Sequence, residues 1–486
     1  MKRILLYSFS LFLIQNLNAQ TQIGSNITGG VAGARFGHTV SLNSAGTKVA
    51  VGAPFKSTPN TINGFAQVYN DVSNSWVQNG ATINGESAQD NFGRLALSGD
   101  GNTLVVGGST NDGNGTDSGH VRVFTWNGSA WVQKGVDING EAAGDNFGVN
   151  VSLSNDGTIL AVGSHLSDSN GVDSGQVRVF SWNGTSWLQR GVNLNGEAAG
   201  DEFGANLRIS LDGTKLIVGG RKNDGNGTDS GHVRVFNWNG TAWVQLGLDI
   251  EGSSAGDLFG NSVAISNSGT RIVVGAPSAD APNSNSGHVK IFNYNGSVWE
   301  QLGSDISESQ ADANFGNSVS INGSGDAVFI GGPGFDSVSS YNVGVARYFK
   351  WNGAAWQQIG TNIMGSIADQ LGYSVSLSND GNIAAVGIPF ESNGGNVKVY
   401  NFTALLSSTD FQLNDNFSVY PNPTKNQFQL STEISIDKVE VLNLQGQVIK
   451  TFESQDSYNV NDLSAGIYLV MIHSEEGKGI KKIIKN

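Results

Sequence analysis

A Phe-Gly pair returns along this chain at an almost fixed interval: Phe36-Gly37, Phe92-Gly93, Phe147-Gly148, Phe203-Gly204, Phe259-Gly260, Phe315-Gly316 and, with Leu for Phe, Leu371-Gly372. Every step is 56 residues except the one from Phe92 to Phe147, which is 55. Trp76, Trp131, Trp187, Trp243, Trp299 and Trp356 keep the same phase. A unit of this size cannot bury its own apolar face, so the repeat demands an architecture in which each unit packs against the next.

Within one unit the pattern is β. The runs RLALS (94–98) and TLVVG (103–107) flank Asp100-Gly101, and HVRVFTW (120–126) and AWVQKG (130–135) flank Asn127-Gly128. Asp-Gly and Asn-Gly between such runs are hairpin turns, because both residues tolerate positive φ. The turns recur at Asp156-Gly157, Asp212-Gly213 and Asp380-Gly381, and at Asn183-Gly184, Asn239-Gly240, Asn295-Gly296 and Asn352-Gly353. Two hairpins per unit make a four-stranded antiparallel blade, and seven units make a seven-bladed β-propeller over residues 20–403. The seventh unit lacks its own W-V-Q-x-G strand. Gln22-Ile23-Gly24-Ser25-Asn26-Ile27 aligns with Gln133-Lys134-Gly135-Val136-Asp137-Ile138, so the N-terminal segment is expected to complete blade seven and close the ring.

The phase F-G…V-G-A-P…G-x-V-R-V-F, with Val51-Gly52-Ala53-Pro54 and Val274-Gly275-Ala276-Pro277 as its clearest copies, resembles the FG-GAP repeats of integrin α-subunit propellers and their bacterial relatives. That family often carries a D-x-D-x-D-G calcium loop between the first two strands. Here the loops are turns such as Gly99-Asp100-Gly101-Asn102, too short in carboxylates for the six to eight oxygen ligands calcium takes. Calcium sites are therefore not carried over, and neither a metal nor a cofactor is expected.

The chain ends differently. Residues 1–19 combine Lys2 and Arg3, a short apolar run and Ala19, the pattern of a cleaved export signal rather than a membrane span. The repeat stops near 403, residues 404–415 read as a linker, and 416–486 contain no Trp. This last segment resembles a type A sorting domain of the type IX secretion pathway and is expected to be small and β-sandwich-like. The matching pieces are Tyr420-Pro421-Asn422-Pro423, the turn at Gly446, Gly466 and Tyr468, and a basic tail with Lys481, Lys482 and Lys485. The resemblance implies the type IX machinery as partner, passage through the periplasm, and a secreted or cell-surface product.

A net charge of −14 argues against nucleic acid, whose phosphates require clustered Lys and Arg. The absence of Cys removes disulfides and thiolate chemistry. His120, His232 and His288 share one repeat position with Gln176 and read as parts of blades. No catalytic residue is assigned, and neither an H-E-x-x-H nor a Walker motif is present. The basic third-strand positions Arg122, Arg178, Arg234, Lys290, Arg347 and Lys398, with Asp90, Asp145, Asp201, Asp257 and Asp369 two residues before the F-G step, suggest a ring of ion pairs, or a charged channel that binds ions or sugars. The loops joining strands two and three offer oxygen ligands in three blades: Asp112, Asn114 and Asp117; Asp168, Asn170 and Asp173; Asp224, Asn226 and Asp229. These are turn formers or a weak cation site, and as part of the long-loop rim they are the candidate ligand-binding residues. The function expected is a non-enzymatic binding or adhesion module for an extracellular protein or glycan; the alternative is a polysaccharide hydrolase or lyase.

Overall fold

The computed structural model describes residues 20–486 apart from 56, 59–60, 281, 404–416, 433, 444–447 and 475–476. Segment 1–19, the linker at 404–415 and Gly446 thus lie outside the described residues. The chain divides into two compact units, one ending at Phe402 and one beginning at Thr403.

In the first unit the Phe-Gly phase becomes seven antiparallel blades. Blade two shows the pattern: Phe92–Leu97, Thr103–Gly108 and His120–Trp126 pair in sequence, and Trp131–Gln133 and Ile138–Asn139 both pair with the third strand, as two halves of a fourth. The first strands are innermost, each contacting the first strand of the next blade around a central channel.

Two glycines per repeat set the distance between blades. A Cβ on Gly52 of the second strand would stand 1.9 Å from the carbonyl oxygen of Gly93, and one on Gly387 would stand 2.0 Å from that of Gly37. Backbone therefore meets backbone at each seam, which no other residue allows. The Phe of each step is fully buried and closes the seam beside the glycine. Farther out, each Trp donates from Nε1 to a fourth-strand carbonyl of the preceding blade: Trp131 to Asn79 at 2.9 Å, Trp187 to Lys134 at 2.9 Å, Trp243 to Arg190 at 2.9 Å.

The ring closes as the alignment of the N-terminal segment requires. Thr21 and Gln22 pair with Asn401 and Tyr400, and Ile27 and Thr28 pair with Val397 and Asn396. Trp76 of blade one donates to the carbonyl of Ile23 at 3.0 Å, so the N-terminal strand occupies the place that a fourth strand holds in every other blade.

The second unit is also β. Its strands form a three-stranded sheet and a four-stranded sheet that share a core of Phe417, Phe428, Val439, Val441, Tyr458, Val470 and Ile472. Asn422 fastens the Tyr-Pro-Asn-Pro segment to the final strand: its Nδ2 donates to the carbonyl of Lys482 at 2.8 Å, and its Oδ1 accepts from the amide of Ile484 at 2.9 Å. Tyr468 lies on Gly466–Ser474 and donates to the carbonyl of Ser464 at 2.9 Å. Lys481 approaches the ring of Phe417, and Lys485 is buried. No helix among the described residues is long and apolar enough to cross a membrane.

Candidate functional site

The residues singled out for their spacing are occupied within the fold. Asp112 Oδ1 accepts from the amide of Asp117 at 2.9 Å, Asp168 from that of Asp173 at 2.9 Å, and Asp224 from that of Asp229 at 2.8 Å. Asn114, Asn170 and Asn226 donate from Nδ2 to the carbonyls of Gly140, Gly196 and Gly252 in the next blade-to-blade loop. Asp117, Asp173 and Asp229 hold positive φ. Each triad therefore shapes its own loop and ties it to a neighbour, and the three triads remain in three separate loops.

The charged ring is sorted differently from the expected Asp–Arg pairing. Asp90, Asp145, Asp201, Asp257 and Asp369 accept backbone amides just upstream, as Asp201 does from Glu197 and Ala198. The third-strand arginines pair with Glu: Arg122 with Glu86 at 3.4 Å, Arg178 with Glu141 at 3.5 Å, Arg234 with Glu197 at 3.5 Å and Arg347 with Glu308 at 2.5 Å. Arg178 and Arg234 also lie 4.1 and 4.2 Å above the rings of Phe147 and Phe203, where a cation is attracted by the ring face. Two clusters, Glu86–His120–Asp137 and Glu197–His232–Asp249, bring ligand atoms close enough for a metal ion. Their Glu carboxylates already face a guanidinium, so these clusters are built as ion-pair networks.

The central channel is different in kind. Its wall is made by alternate residues of the seven first strands. The upper ring, set by pairing with the second-strand glycine, is Thr39, Arg94, Asn150, Asn206, Ser262, Ser318 and Ser374. The next ring holds Ser41, Ala96, Ser152, Arg208, Ala264, Ser320 and Ser376. In the second ring, Ser41, Ser152, Ser320 and Ser376 each accept, through Oγ, an amide of the following blade: Leu97, Ile209, Leu377 and Leu42. Small hydroxyls are therefore structural stitches, and each ring contains one arginine in their place.

At the rim of the long loops the channel widens into a cavity of about 320 Å³ lined by the upper ring and by Arg208 of the second, together with His38, His165, Arg221 and Tyr373. Arg221 is paired with Glu202 at 2.6 Å. Arg208 donates only to Asn150 Oδ1 at 3.2 Å and its neighbour's carbonyl at 2.8 Å. Arg94 has no hydrogen-bonding partner, and neither Arg94 nor Arg208 has a carboxylate within ion-pair reach among the described residues. His38 and His165 each leave Nδ1 buried without a partner. Burial, reinforced by Arg94 and Arg35, holds His38 well below the ordinary imidazole range. Burial likewise brings His165 down to about 4; Glu202 opposes it, and Arg221, Arg94 and Lys222 add to it. Both imidazoles are neutral at pH 7, and the positive charge of the cavity comes from guanidinium.

The other end is constricted. Ser44, Gly99, Asn155, Leu211, Asn267, Gly323 and Asn379 form a collar in which successive backbones are hydrogen-bonded, as in Ser44 to Gly99, Gly99 to Asn155 and Asn379 to Ser44. Seven strand spacings around a circle give a collar roughly 11 Å across from backbone to backbone. Asn side chains occupy its middle: a Cβ on Gly99 would stand 1.6 Å from Asn155 Oδ1, and Asn267 donates to Asn379 Oδ1 at 2.7 Å. The site is a funnel, open on the long-loop rim and narrowed at the turn rim.

Sequence reasoning passed over Arg94 and Arg208 because neither repeats. One signal was available, since the single 55-residue step removes a residue after Phe92-Gly93 and brings Arg94 into register with Thr39 and Asn150.

Comparison with known proteins agrees with this architecture. A family model described as FG-GAP repeat matches residues 139–180 and 251–292. A second, described as a secretion system C-terminal sorting domain, matches 418–486. No curated protein matches the chain. Among solved structures, hydrazine synthase of Kuenenia stuttgartiensis is similar at 14% identity and a TM-score of 0.50, covering 78% of this chain and 97% of its own. A putative 6-phosphogluconolactonase from Bacteroides uniformis aligns at 11% identity and a TM-score of 0.47, over 83% of this chain and 96% of its own. At such identities the first likeness bears on fold alone. The chain thus carries FG-GAP repeats within a β-propeller and a C-terminal secretion sorting domain that directs it through the periplasm to the cell surface or the medium.

Proposed function

We propose that the propeller is an extracellular binding module that receives a protein or glycan ligand on its long-loop rim, with the funnel as its pocket. One observation carries this reading: seven near-identical blades diverge from one another at the funnel, where His38, Arg94, His165, Arg208, Arg221 and Tyr373 meet in one cavity. Concave polar pockets with a few convergent charged groups are the usual places for ligands. A glycan array probed with the chain lacking residues 1–19 tests it. Binding that is lost when Tyr373 and His165 are changed to Ala supports the funnel, and binding that survives places the ligand elsewhere.

The alternative of a polysaccharide-cleaving enzyme is favoured, in its lyase form, by one contact. The rings of His38 and Tyr373 lie 4.7 Å apart beside Arg94, and a neutral imidazole next to a guanidinium suits removal of a proton α to a carboxylate. Hydrolysis by paired carboxylates has less support, because the cavity lining includes no Asp or Glu. Unsaturated sugar ends formed on incubation with uronate polysaccharides would establish the lyase reading.

The C-terminal unit supplies the export address. A chain ending at Phe402 is expected to accumulate as a folded propeller in the periplasm. Fractionation and protease protection check this, and normal levels at the surface would show that export does not depend on residues 403–486.

A further inference from the structure

We propose that Arg94 and Arg208 form an oxyanion subsite deep in the funnel that takes the carboxylate of an acidic sugar at the end of a glycan chain. The inference rests on the reading of the funnel as a ligand pocket and names the ligand class.

Among the described arginines five have a carboxylate partner: the third-strand guanidinium groups of Arg122, Arg178, Arg234 and Arg347 each have a Glu, and Arg221 has Glu202. Of the rest, Arg190 and Arg271 donate to the carbonyls of Gly213 and Gly325, and Arg35 lies over the rings of Phe55 and Phe390, which leaves Arg94 and Arg208 on the channel wall. A chain of net charge −14 has carboxylates to spare, yet none among the described residues reaches Arg94 or Arg208. These half-buried guanidinium groups face the cavity without a counter-ion, and an exogenous anion would supply one. Arg208 also costs the ring a contact. It stands where Ser41, Ser152, Ser320 and Ser376 accept an amide of the next blade, a stitch that is also missing at Ala96 and Ala264. Arg94 depends on the single contraction of the repeat. Each arginine is the single cationic residue of its ring, and both line the same cavity.

The rest of the lining favours a sugar over a bare ion. Asn150, Asn206, Asn261 and Asn317 supply amides able to donate to and accept from hydroxyls, and Ser262 lies among them. The ring of Tyr373 offers an apolar face. The neutral imidazoles of His38 and His165 complete the lining. Size and shape then decide which part of a glycan fits. A cavity of about 320 Å³ is at the small end of ligand pockets, which run from about 300 to 1,000 Å³. With the far end narrowed by the collar, a chain cannot thread through, so a terminal unit or a short branch enters from the rim with its carboxylate leading.

The test is calorimetric titration of the chain lacking residues 1–19 with an oligosaccharide ending in glucuronate. The same oligosaccharide ending in glucose, inorganic phosphate and a Glu-rich peptide serve as comparisons. The acidic terminus is expected to bind at least about 10-fold tighter than the neutral one, as loss of a charge-assisted hydrogen bond implies. Arg94→Ser and Arg208→Ser introduce the residue that other blades carry at these positions. Each is expected to lower that affinity about 10-fold or more while leaving the melting temperature at or above that of the parent. Equal affinity for both termini, or unchanged binding by both variants, overturns the subsite. Phosphate or peptide binding as tight as that of the glucuronate terminus overturns the assignment to an acidic sugar. Neutral glycans that bind in the funnel and are lost on Tyr373→Ala defeat this inference alone. If no glycan or protein binding depends on any funnel residue, the proposed function fails with it.

Discussion

The seams between blades and the wall of the channel are built from the same repeat, yet they treat it in opposite ways. At the seams the residues hardly change: a fully buried Phe in six blades with Leu371 in the seventh, glycine against glycine, and a Trp Nε1 on the preceding blade's carbonyl. At the wall, two residues away along the same first strands, position after position differs, and two rings of small polar groups are each interrupted by one arginine. The difference separates two kinds of selection that a fold imposes on one strand. Positions that must fit the next blade are fixed by geometry, since a single added Cβ collides with backbone. Positions that face the channel are held less tightly: four serines of the second ring stitch the next blade, and the remaining positions diverge. Stability in this molecule is therefore found where the repeat holds, and chemistry where it fails.

Removing the closing strand should break the seam side of this comparison most severely. Deleting residues 20–28 exposes the third strand of blade seven, removes the acceptor of Trp76, and uncovers core contacts made by Ile23 and Ile27. Loss of two buried Ile side chains alone costs roughly 3–6 kcal/mol, and the bare strand edge invites association. Thermal unfolding with light scattering is expected to show a large fall in melting temperature and aggregation. A deletion variant that melts like the parent would show that the ring closes without this strand.

One seam residue should cost nearly as much. Phe203 is fully buried in a cluster with Val177, Leu207 and Phe236, so Phe203→Ala is expected to destabilise by about 3–5 kcal/mol in denaturant unfolding. A loss below about 1 kcal/mol would mean that the seam is plastic, and the contrast with the wall would weaken.

Much of the seam was legible in the sequence, and little of the wall was. The spacing of Phe-Gly, the Asp-Gly and Asn-Gly turns and the alignment of 22–27 with 133–138 predict blades, hairpins and closure, because each follows from a repeating backbone requirement. Repetition misleads when it is read as chemistry. Asp112, Asn114 and Asp117 have the spacing of oxygen ligands, but spacing does not say whether a carboxylate points outward or accepts its own loop's amide, as Asp112 does. The series from Asp90 was paired with the third-strand arginines by proximity in the repeat, whereas turn geometry gives those carboxylates to backbone amides and leaves the arginines to Glu86, Glu141 and Glu197. Arg94 and Arg208 were invisible to a search for recurrence. What exposes them is register, in which one missing residue moves Arg94 onto the wall.

Acid should distinguish the two regions through their histidines. His232, in the seam beside Phe203, is fully buried with a pKa lowered to about 4, chiefly by burial and then by Arg234, against Asp249 and Asp201. The unfolded chain takes up this proton near pH 6.5 and the folded chain only near 4. The stability it contributes is therefore complete above pH 6.5 and is lost as pH falls toward 4, by on the order of 3 kcal/mol. Replacing it with the residue of blade three, His232→Gln, should flatten the loss of stability between pH 6.5 and 4 by about one proton. His165 in the wall is held near 4 by the same chief cause, but a bound anion would favour its protonated form. Ligand should accordingly restore part of the acid loss in the parent and in His232→Gln alike, and an effect of ligand confined to the parent would place the anion at the seam.

The smallest effect should have the opposite sign. Arg208→Ser puts into blade four the hydroxyl that four other blades use, and Ile265 holds in blade five the register that Ile209, Leu377 and Leu42 hold in theirs. The substitution removes an unpaired charge from a confined wall and restores one hydrogen bond, worth about 0.5–1.5 kcal/mol. Stability should rise by about 1 kcal/mol, read as a small increase in denaturant midpoint with an unchanged slope. A rise would place Arg208 among residues held against the interest of the fold, as expected of a binding residue in a protein that tolerates local cost at its site. A fall of similar size would mean that the guanidinium supports the ring through Asn150 and the Leu207 carbonyl. Arg208 would then belong with the seams, and the wall would be less free than its sequence divergence suggests.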